Sequence, residues 1–263
     1  RQAAYKAWKT IKRKKFETAA RTTKRIDEFI SPERVGAIKH PETPLSTKER
    51  TKYGRGIICQ FEKTPAKIAC GRFWELRWAF GCPLNCAYCY LRGTNRGNMK
   101  PRYVNLEHVL KALDDVFNDP KFNDGEPTLF NSGELCDSLM NPAIMAEIAD
   151  KFEEQGRHKL VLVTKFGPLN AMLLVEKLRK NTLCIWSINA VKAAKLWETA
   201  APPPEERIKA ASMVNEAGYE VRVRIDPIFP IYKWKECYAD IINKILSSFE
   251  PTRIILGTPR GLW

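Results

Sequence analysis

The sequence predicts an α/β fold in which parallel β-strands alternate with α-helices. The first observation is that apolar strand-like segments and helix-like segments follow one another in turn from residue 72 to residue 256. Strands that alternate with helices pair in parallel, because each helix returns the chain to the start of the next strand. The second is that 263 residues, 44% of them hydrophobic, suffice for one large domain such as a β/α barrel.

Six strands and five intervening helices account for this region. Asn105 precedes the first helix as its N-cap, Pro142 opens the second where its missing N–H costs nothing, and Gly218 ends the fourth. The predicted strands are 73–80, 128–131, 159–164, 183–188, 219–225 and 253–256, and the predicted helices are 106–117, 142–155, 169–180, 205–217 and 235–248.

The first 55 residues differ in composition from the rest. They hold 16 Lys and Arg against 6 Asp and Glu, and so contribute +10 of the net charge of +14. Residues 1–30 are predicted to form a basic helix or mobile arm, and residues 31–55, with three prolines, an irregular linker. Concentrated positive charge favours a polyanion such as nucleic acid, although a solvated basic surface has the same composition.

We therefore divide the chain into a basic arm and linker, residues 1–55, and a barrel domain, residues 56–263. Residues 56–71 are expected to form a hairpin that leads into the first strand. The sequence stops after the sixth strand, so the last helix of the barrel is expected to be missing, disordered or outside this sequence.

Three cysteines in one short segment carry the strongest functional signal. Cys82, Cys86 and Cys89 have the spacing C-x3-C-x2-C, and no fourth cysteine is near. A [4Fe–4S] cluster is normally held by four thiolates, so three would leave one iron free for another ligand. Zinc is the main alternative, but it usually needs four closed positions, and none of the three histidines lies at ligand spacing. A structural loop with three free thiols is the other alternative.

The cysteine segment resembles a known enzyme family. The pattern C-x3-C-x-aromatic-C of Cys82, Cys86, Tyr88 and Cys89 resembles that of radical S-adenosylmethionine (SAM) enzymes, and Cys-Ala-Tyr-Cys-Tyr-Leu-Arg resembles the spore photoproduct lyase group. The resemblance implies a partial (β/α)6 barrel with a [4Fe–4S] cluster and SAM as cofactors. It also implies cleavage of SAM to a 5′-deoxyadenosyl radical.

By the same resemblance, residues at the ends of successive strands bind SAM. Ser132, Gly133 and Glu134 resemble the family's Gly-Gly-Glu motif, in which the carboxylate holds the amino group and a small residue lets the backbone come close. Lys165, in a segment like the family's V-T-K-Y, would face the carboxylate. Ser187, in a segment like S-I-N-S, would face the ribose or carboxylate. A lysine at the barrel rim and a serine within a strand are the plainer alternatives.

Three further residues have roles implied by the resemblance. Tyr88 would stack on adenine, and Tyr90 matches a tyrosine implicated in passing a hydrogen atom. Cys136 follows the second strand, where the lyases have a cysteine that donates hydrogen to the substrate radical. However, aligning Asp137 with the family's aspartate puts Glu134 at the donor position. Tyr90 and Cys136 could equally be packing residues.

The resemblance leaves the substrate open. The first hypothesis is repair of a cross-linked thymine pair in DNA, with the basic arm on the phosphate backbone. The alternatives are a radical SAM enzyme acting on RNA, a peptide or a small metabolite, and a non-catalytic Fe–S protein that binds nucleic acid. DNA is favoured over RNA as partner, and a flavodoxin or ferredoxin is the expected electron donor.

The location of the protein follows from its thiols and its lack of apolar segments. No run of about 18 apolar residues indicates a membrane span, and the first residues lack an apolar signal core. Cluster ligation needs reduced cysteines, so a reducing cytoplasm is the expected compartment.

Overall fold

The computed structural model of the protein describes residues 53–61, 73–123 and 125–259. The predicted arm 1–30, nearly all of the linker 31–55 and most of the stretch 56–71 lie outside these ranges. The division of the chain at residue 55 therefore stays a prediction. Within the described ranges, no helix has both the length and the apolar character that a bilayer crossing requires.

The described residues form one large sheet with helices between its strands. The strands are β1 (Ile58–Gln60), β2 (Trp74–Leu76), β3 (Ala79–Phe80), β4 (Arg102–Tyr103), β5 (Leu129–Asn131), β6 (Lys159–Thr164), β7 (Thr182–Ser187), β8 (Glu220–Ile225) and β9 (Arg253–Leu256). The helices are α1 (Leu91–Thr94), α2 (Leu106–Phe117), α3 (Pro120–Asn123), α4 (Pro142–Gln155), α5 (Pro168–Glu176), α6 (Val191–Trp197), α7 (Pro204–Glu216) and α8 (Trp234–Ser248).

The topology confirms the predicted fold class. The strands of the large sheet lie in the order β1-β2-β5-β6-β7-β8-β9, and every neighbouring pair from β2 to β9 is parallel. In this sheet only β1 is antiparallel, and it pairs with β2 itself. The hairpin predicted within residues 56–71 falls mostly outside the described ranges and stays a prediction. In the part of the chain that the structure describes, β9 has one strand neighbour, so the six parallel strands form an open, partial barrel.

The predicted first strand, 73–80, was wrong in one respect, because it is broken in the middle. The part from Trp74 to Leu76 belongs to the large sheet, whereas Ala79 and Phe80 pair with β4 in a separate two-stranded sheet. Between them, the fully buried Trp78 donates its indole N–H to the carbonyl of Ser132 at 2.9 Å. This contact bends the chain out of the large sheet just before the cysteine segment.

Other boundaries were closer to the prediction. Helices 106–117 and 142–155 and strands 159–164 and 253–256 are observed as predicted. Asn105 caps α2 by accepting a hydrogen bond from the Glu107 N–H at 2.8 Å. Helices α1, α3 and α6 and the strand pair β3–β4 were not predicted, because each is too short to show periodicity.

The two faces of the large sheet differ in polarity. Along β8, Val221, Val223 and Ile225 are buried against the helices in the main core. The alternate residues Glu220, Arg222 and Arg224 lie on the opposite, concave face, since side chains alternate along a strand. That face has a small apolar centre and polar groups toward the carboxyl ends of the strands. The apolar centre consists of Val161, Leu183 and Ile185 with partly buried neighbours.

Candidate active site

The functional residues predicted from the sequence meet at the carboxyl edge of the parallel strands. Glu134 follows β5, Lys165 follows β6, and Ser187 ends β7. The cysteine segment, residues 81–90, follows β3 and is bonded to the same edge, since the Gly81 N–H donates to the Leu135 carbonyl at 3.0 Å. In barrels of parallel strands this edge is where active sites are built.

The cysteine segment has a backbone that few other sequences would adopt. Gly81 has a φ of +80°, and a Cβ there would lie 2.5 Å from the Lys100 carbonyl oxygen, so only glycine fits. Asn85 also has a positive φ. Arg92 holds this turn by donating to the Asn85 carbonyl at 3.0 Å and to the Cys86 carbonyl at 3.0 Å. The cysteines are therefore presented by a fixed loop.

The three thiols belong to one loop, in which each could supply one ligand to a shared cluster. Cys82 lies within electrostatic range of both Cys86 and Cys89. Burial raises the pKa of Cys82 to about 12 and also raises that of Cys86. Among the described residues, no three metal-ligating side chains converge closely enough for a single ion, as zinc would need.

Glu134 is oriented by two partners, one of them in the cysteine segment. Its Oε1 accepts a hydrogen bond from the Asn131 side-chain amide at 2.7 Å. The Tyr90 hydroxyl donates to the Glu134 backbone carbonyl and lies 3.3 Å from Oε2. Burial raises the pKa of Glu134, while Arg224 opposes this shift and Glu75 adds to it. Tyr90 thus links the cysteine loop to the carboxylate.

Ser132 and Gly133 contribute backbone rather than side chains to this edge. Ser132 is 1% exposed, and its hydroxyl is bonded to the Ser138 hydroxyl at 2.8 Å and the Val161 carbonyl at 3.1 Å. A Cβ on Gly133 would lie 2.6 Å from the Cβ of Val163. The segment is therefore packed directly onto β6, which explains why a small residue precedes Glu134.

We expect Gly133→Ala to destabilise the protein by about 1–3 kcal/mol, the usual cost of forcing an extra carbon into a packed site. The free energy of unfolding in urea would measure it. Gly167→Ala is the matched control, because a Cβ there meets only ordinary contacts at 3.7 Å or more. If the Gly133→Ala variant and the unaltered protein had the same free energy of unfolding, the prediction would be wrong, and β6 would have to move to make room for the added carbon.

Tyr88 and Lys165 lie together on the other side of the cysteine loop. The Lys165 ammonium is 5.7 Å from the centroid of the Tyr88 ring. Tyr88 also contacts Phe229 edge-on, with centroids 5.2 Å apart, and Phe229 packs on Trp197 at 4.2 Å. Burial, and then the nearby Glu198, raise the pKa of Tyr88, so its hydroxyl stays protonated as a donor.

A buried ion pair supports Tyr88, and the sequence analysis missed it. Glu198 and Arg207 have fully buried side chains and an O–N distance of 2.5 Å. The Tyr88 hydroxyl donates to Oε1 of Glu198. Burial alone would raise the pKa of Glu198, but Lys165, Arg207 and the tyrosine hydroxyl together hold it below its ordinary value. The Glu198 carboxylate is therefore an ionised acceptor.

Hydrogen bonds also connect this ion pair and its neighbours to the end of β7 and to the cysteine loop. Arg207 donates to the Pro202 carbonyl at 2.7 Å and to the Ser187 carbonyl at 3.2 Å. The Trp197 carbonyl, next to Glu198, accepts a hydrogen bond from the Ala87 N–H at 2.8 Å. The region from Trp197 to Arg207 thus holds both the end of β7 and the cysteine loop. The pairing of Glu198 with Arg207 leaves no local pattern in the sequence, because the two residues meet only in the folded chain.

Cys136 is placed differently from the other site residues. It is 5% exposed, belongs to the main core between sheet and helices, and its sulfur donates to the Ser132 carbonyl at 3.5 Å. Burial, and then the neighbouring Asp137, raise the pKa of Cys136 well above its ordinary value. Asp137 is itself turned inward, accepting from the Thr164 hydroxyl at 2.7 Å. These surroundings are those of a packing residue, and the hydrogen-donor role stays a prediction.

Comparison with known proteins identifies relatives of this site and fold. A sequence model of the family described as spore photoproduct lyase matches residues 69–254, most of the chain. The spore photoproduct lyase of Bacillus subtilis (strain 168) is 30% identical over 175 residues, which cover 65% of this chain and 50% of the relative. The spore photoproduct lyase of Clostridium acetobutylicum (strain ATCC 824) is 25% identical over 177 residues, which cover 65% and 51%. The chain thus spans about half the length of these curated relatives.

A solved structure shows the same fold. It is a spore photoproduct lyase variant with bound AdoMet and dinucleoside spore photoproduct, and it matches with a TM-score of 0.62 at 21% identity. The match covers 74% of this chain and 58% of that chain. The partial barrel of parallel strands is the architecture that the two share.

Proposed function

Because the chain belongs to the spore photoproduct lyase family of radical SAM enzymes, we propose that it binds a [4Fe–4S] cluster and cleaves SAM. The observation that carries the proposal is the meeting of three cysteines and an oriented carboxylate at one edge of the sheet. Cys82, Cys86 and Cys89 would ligate the cluster, with one iron left for SAM. When bound, the cluster supplies the electron that cleaves SAM.

The surrounding residues would bind and orient SAM. Glu134, held by Asn131 and Tyr90, presents a carboxylate to the ammonium group of SAM. Lys165 would face the SAM carboxylate, and Ser187, at the end of the next strand, the ribose or carboxylate. Tyr88 would pack against adenine, with its hydroxyl anchored on Glu198. Backbone packing of Ser132 and Gly133 fixes the position of Glu134.

The proposed substrate is a cross-linked thymine pair in DNA. The curated relatives are named for this lyase activity, and a solved relative carries a dinucleoside spore photoproduct. The net charge of +14, most of it in residues 1–55, supports a polyanionic substrate. A flavodoxin or ferredoxin would serve as the electron donor. Of the two candidates for hydrogen transfer, Tyr90 lies at the site edge, whereas Cys136 lies in the core.

One observation favours a second candidate function, which is the same SAM chemistry on another substrate. The Cys136 thiol is 5% exposed and donates to the Ser132 carbonyl at 3.5 Å, with Cys82 of the cysteine loop among its charged neighbours. The concave face near Glu134 instead carries the ion pair of Arg224 and Asp226, with atoms 2.8 Å apart. These charges suit RNA, a peptide or a metabolite as well as DNA, so the observation in favour of another substrate is the burial of Cys136.

The test is anaerobic reconstitution of the protein with iron and sulfide, followed by reduction in the presence of SAM. Formation of 5′-deoxyadenosine is expected, and with an oligonucleotide that contains the thymine lesion, restored thymines are expected as well. SAM cleavage without lesion repair would favour the second candidate. Failure of the iron-loaded protein to cleave SAM would contradict both candidates.

The Glu134→Gln variant tests the SAM pocket within this assay. Loss of the charge opposite the ammonium should raise the KM for SAM roughly 10- to 150-fold, as expected for a lost charge-assisted hydrogen bond, with a smaller change in kcat. Glu220→Gln is the control, because Glu220 starts β8 at the opposite edge of the sheet, paired with Arg222. An unchanged KM in the Glu134→Gln variant would remove Glu134 from the pocket.

A further inference from the structure

The loop between β8 and α8 begins beside the aromatic residues of the site and leads to an exposed aromatic and basic segment at the start of α8. Parallel strands place this loop at the same edge as the cysteine loop. Its Phe229 packs on Trp197 and contacts the edge of Tyr88. Three residues further on, the sequence Tyr232-Lys233-Trp234-Lys235 alternates aromatic and basic side chains.

The two aromatic rings of this sequence are exposed. Tyr232 is 81% exposed and Trp234 is 42% exposed. Each has a lysine beside it, since the Lys233 ammonium is 5.7 Å from the Tyr232 centroid and the Lys235 ammonium is 5.7 Å from the Trp234 centroid. Singly exposed rings are common on protein surfaces, but two within three residues, each beside a cation, have the composition of a surface that stacks bases and contacts phosphates.

The loop is held in place, so the rings are presented by a fixed backbone. The Ile228 N–H donates to the Gly257 carbonyl at 2.7 Å, and the Phe229 N–H donates to the Tyr238 hydroxyl at 2.8 Å. Tyr238 in turn donates to Asn189 at 2.7 Å. Lys233 adopts a positive φ of 57°, a conformation that costs a lysine more than a glycine. This strained turn separates the two rings.

We propose that Tyr232, Lys233, Trp234 and Lys235 form a docking platform for single-stranded nucleic acid next to the site. The proposal rests on the proposed function and deepens it, because it makes the substrate part of a nucleic-acid strand. Bases stack on the two rings, and the lysines contact the adjoining phosphates, as in other proteins that bind single strands. The segment from Phe229 to Lys235 contains no Asp or Glu, and the exposed Glu236 follows it directly.

The position of the platform explains how a strand would reach the site. A base taken out of a duplex leaves its partner on the other strand unpaired, and rings at the rim of the site can stack on bases exposed in this way. An apolar membrane patch would need a wider surface than two rings that each carry a cation. The chemistry of the four side chains therefore favours a nucleic-acid strand as occupant.

The test measures binding of a fluorescent single-stranded oligothymidylate to the iron-loaded protein by anisotropy. Tyr232→Ala and Trp234→Ala are each expected to weaken binding roughly 5- to 150-fold, the usual effect of losing a stacking ring. Tyr232→Phe and Trp234→Phe should retain most of the affinity, since the face of the ring remains. Removing both lysines, as Lys233→Asn with Lys235→Ala, should reduce the slope of log affinity against log salt by about 1.4.

Lys180→Ala and Leu178→Ala are the matched controls. Both residues are exposed and lie between α5 and β7, at the opposite edge of the sheet. Oligonucleotide binding that is equal in the ring variants and the controls would overturn the platform. Tight binding to vesicles of phosphatidylserine and phosphatidylcholine without binding to the oligonucleotide would replace it with a membrane surface. If polyglutamate displaced the oligonucleotide as well as unlabelled oligothymidylate does, the platform would be a general polyanion site in which bases do not stack.

Failure of the platform and failure of the proposed function give different results. SAM cleavage by the unaltered protein tests the function, and oligonucleotide binding by the ring variants tests the platform. Cleavage of SAM together with unaltered binding by the ring variants would overturn the platform alone. Ring-dependent binding without SAM cleavage would support the platform and contradict the function.

Discussion

Replacement of Cys82, Cys86 or Cys89 by alanine, one at a time, is expected to abolish iron binding and SAM cleavage. Three thiolates are one fewer than the usual set, so loss of one leaves two irons without a protein ligand. The loop offers no substitute, because within the described residues no other cysteine follows β3 before α2. Iron and sulfide content and the absorbance of the reconstituted protein would measure the effect.

Cys237→Ala is the control for these variants. Cys237 lies in α8, outside the cysteine loop, and alanine is favourable in a helix. This variant should take up the same iron as the unaltered protein. Full iron content in any of the three loop variants, or one tightly bound zinc ion with no uptake of iron, would contradict the cluster.

Arg207→Met is expected to lower the free energy of unfolding of the protein by about 3–5 kcal/mol. Both members of the Glu198–Arg207 pair are fully buried, and removing one leaves an unpaired buried charge. Because Glu198 also accepts the Tyr88 hydroxyl, the loss should spread to the cysteine loop. Unfolding in urea would measure the stability, and iron uptake on reconstitution would report on the loop.

A double variant separates the charge from the packing. Glu198→Gln together with Arg207→Met removes both charges, and should recover part of the stability that Arg207→Met alone loses. Glu205→Gln is a control of the same chemistry, because its pair with Lys244 is exposed and such pairs contribute at most about 1 kcal/mol. If Arg207→Met cost no more than Glu205→Gln, the buried pair would have no role in supporting Tyr88.

The sequence predicts best those features that depend on neighbouring residues. Helix α2 was predicted from end to end because its cap, Asn105, and its apolar spacing lie within one short segment. Strand β6 was predicted for the same reason. The order of Glu134, Lys165 and Ser187 at successive strand ends also followed from the βα alternation once the resemblance was recognised.

Features that depend on distant contacts could not be predicted. The strand 73–80 breaks at Trp78 because its indole bonds to Ser132, which is 54 residues away. The contact between Tyr88 and Glu198 spans 110 residues. The inward turn of the Ser132 hydroxyl depends on Ser138 and Val161 together. Such contacts are fixed by how the strands align, which no local pattern encodes.

The alternation along β8 has a consequence for how such a protein can change over time. Val221 and Val223 face the helices, where replacement by smaller residues costs stability, whereas Arg222 and Arg224 face the concave side. A mutation at Arg224 would therefore alter the charge beside Glu134 without opening a cavity in the main core. Substrate preference can thus diverge along one face of the strand while selection for a foldable chain acts on the other.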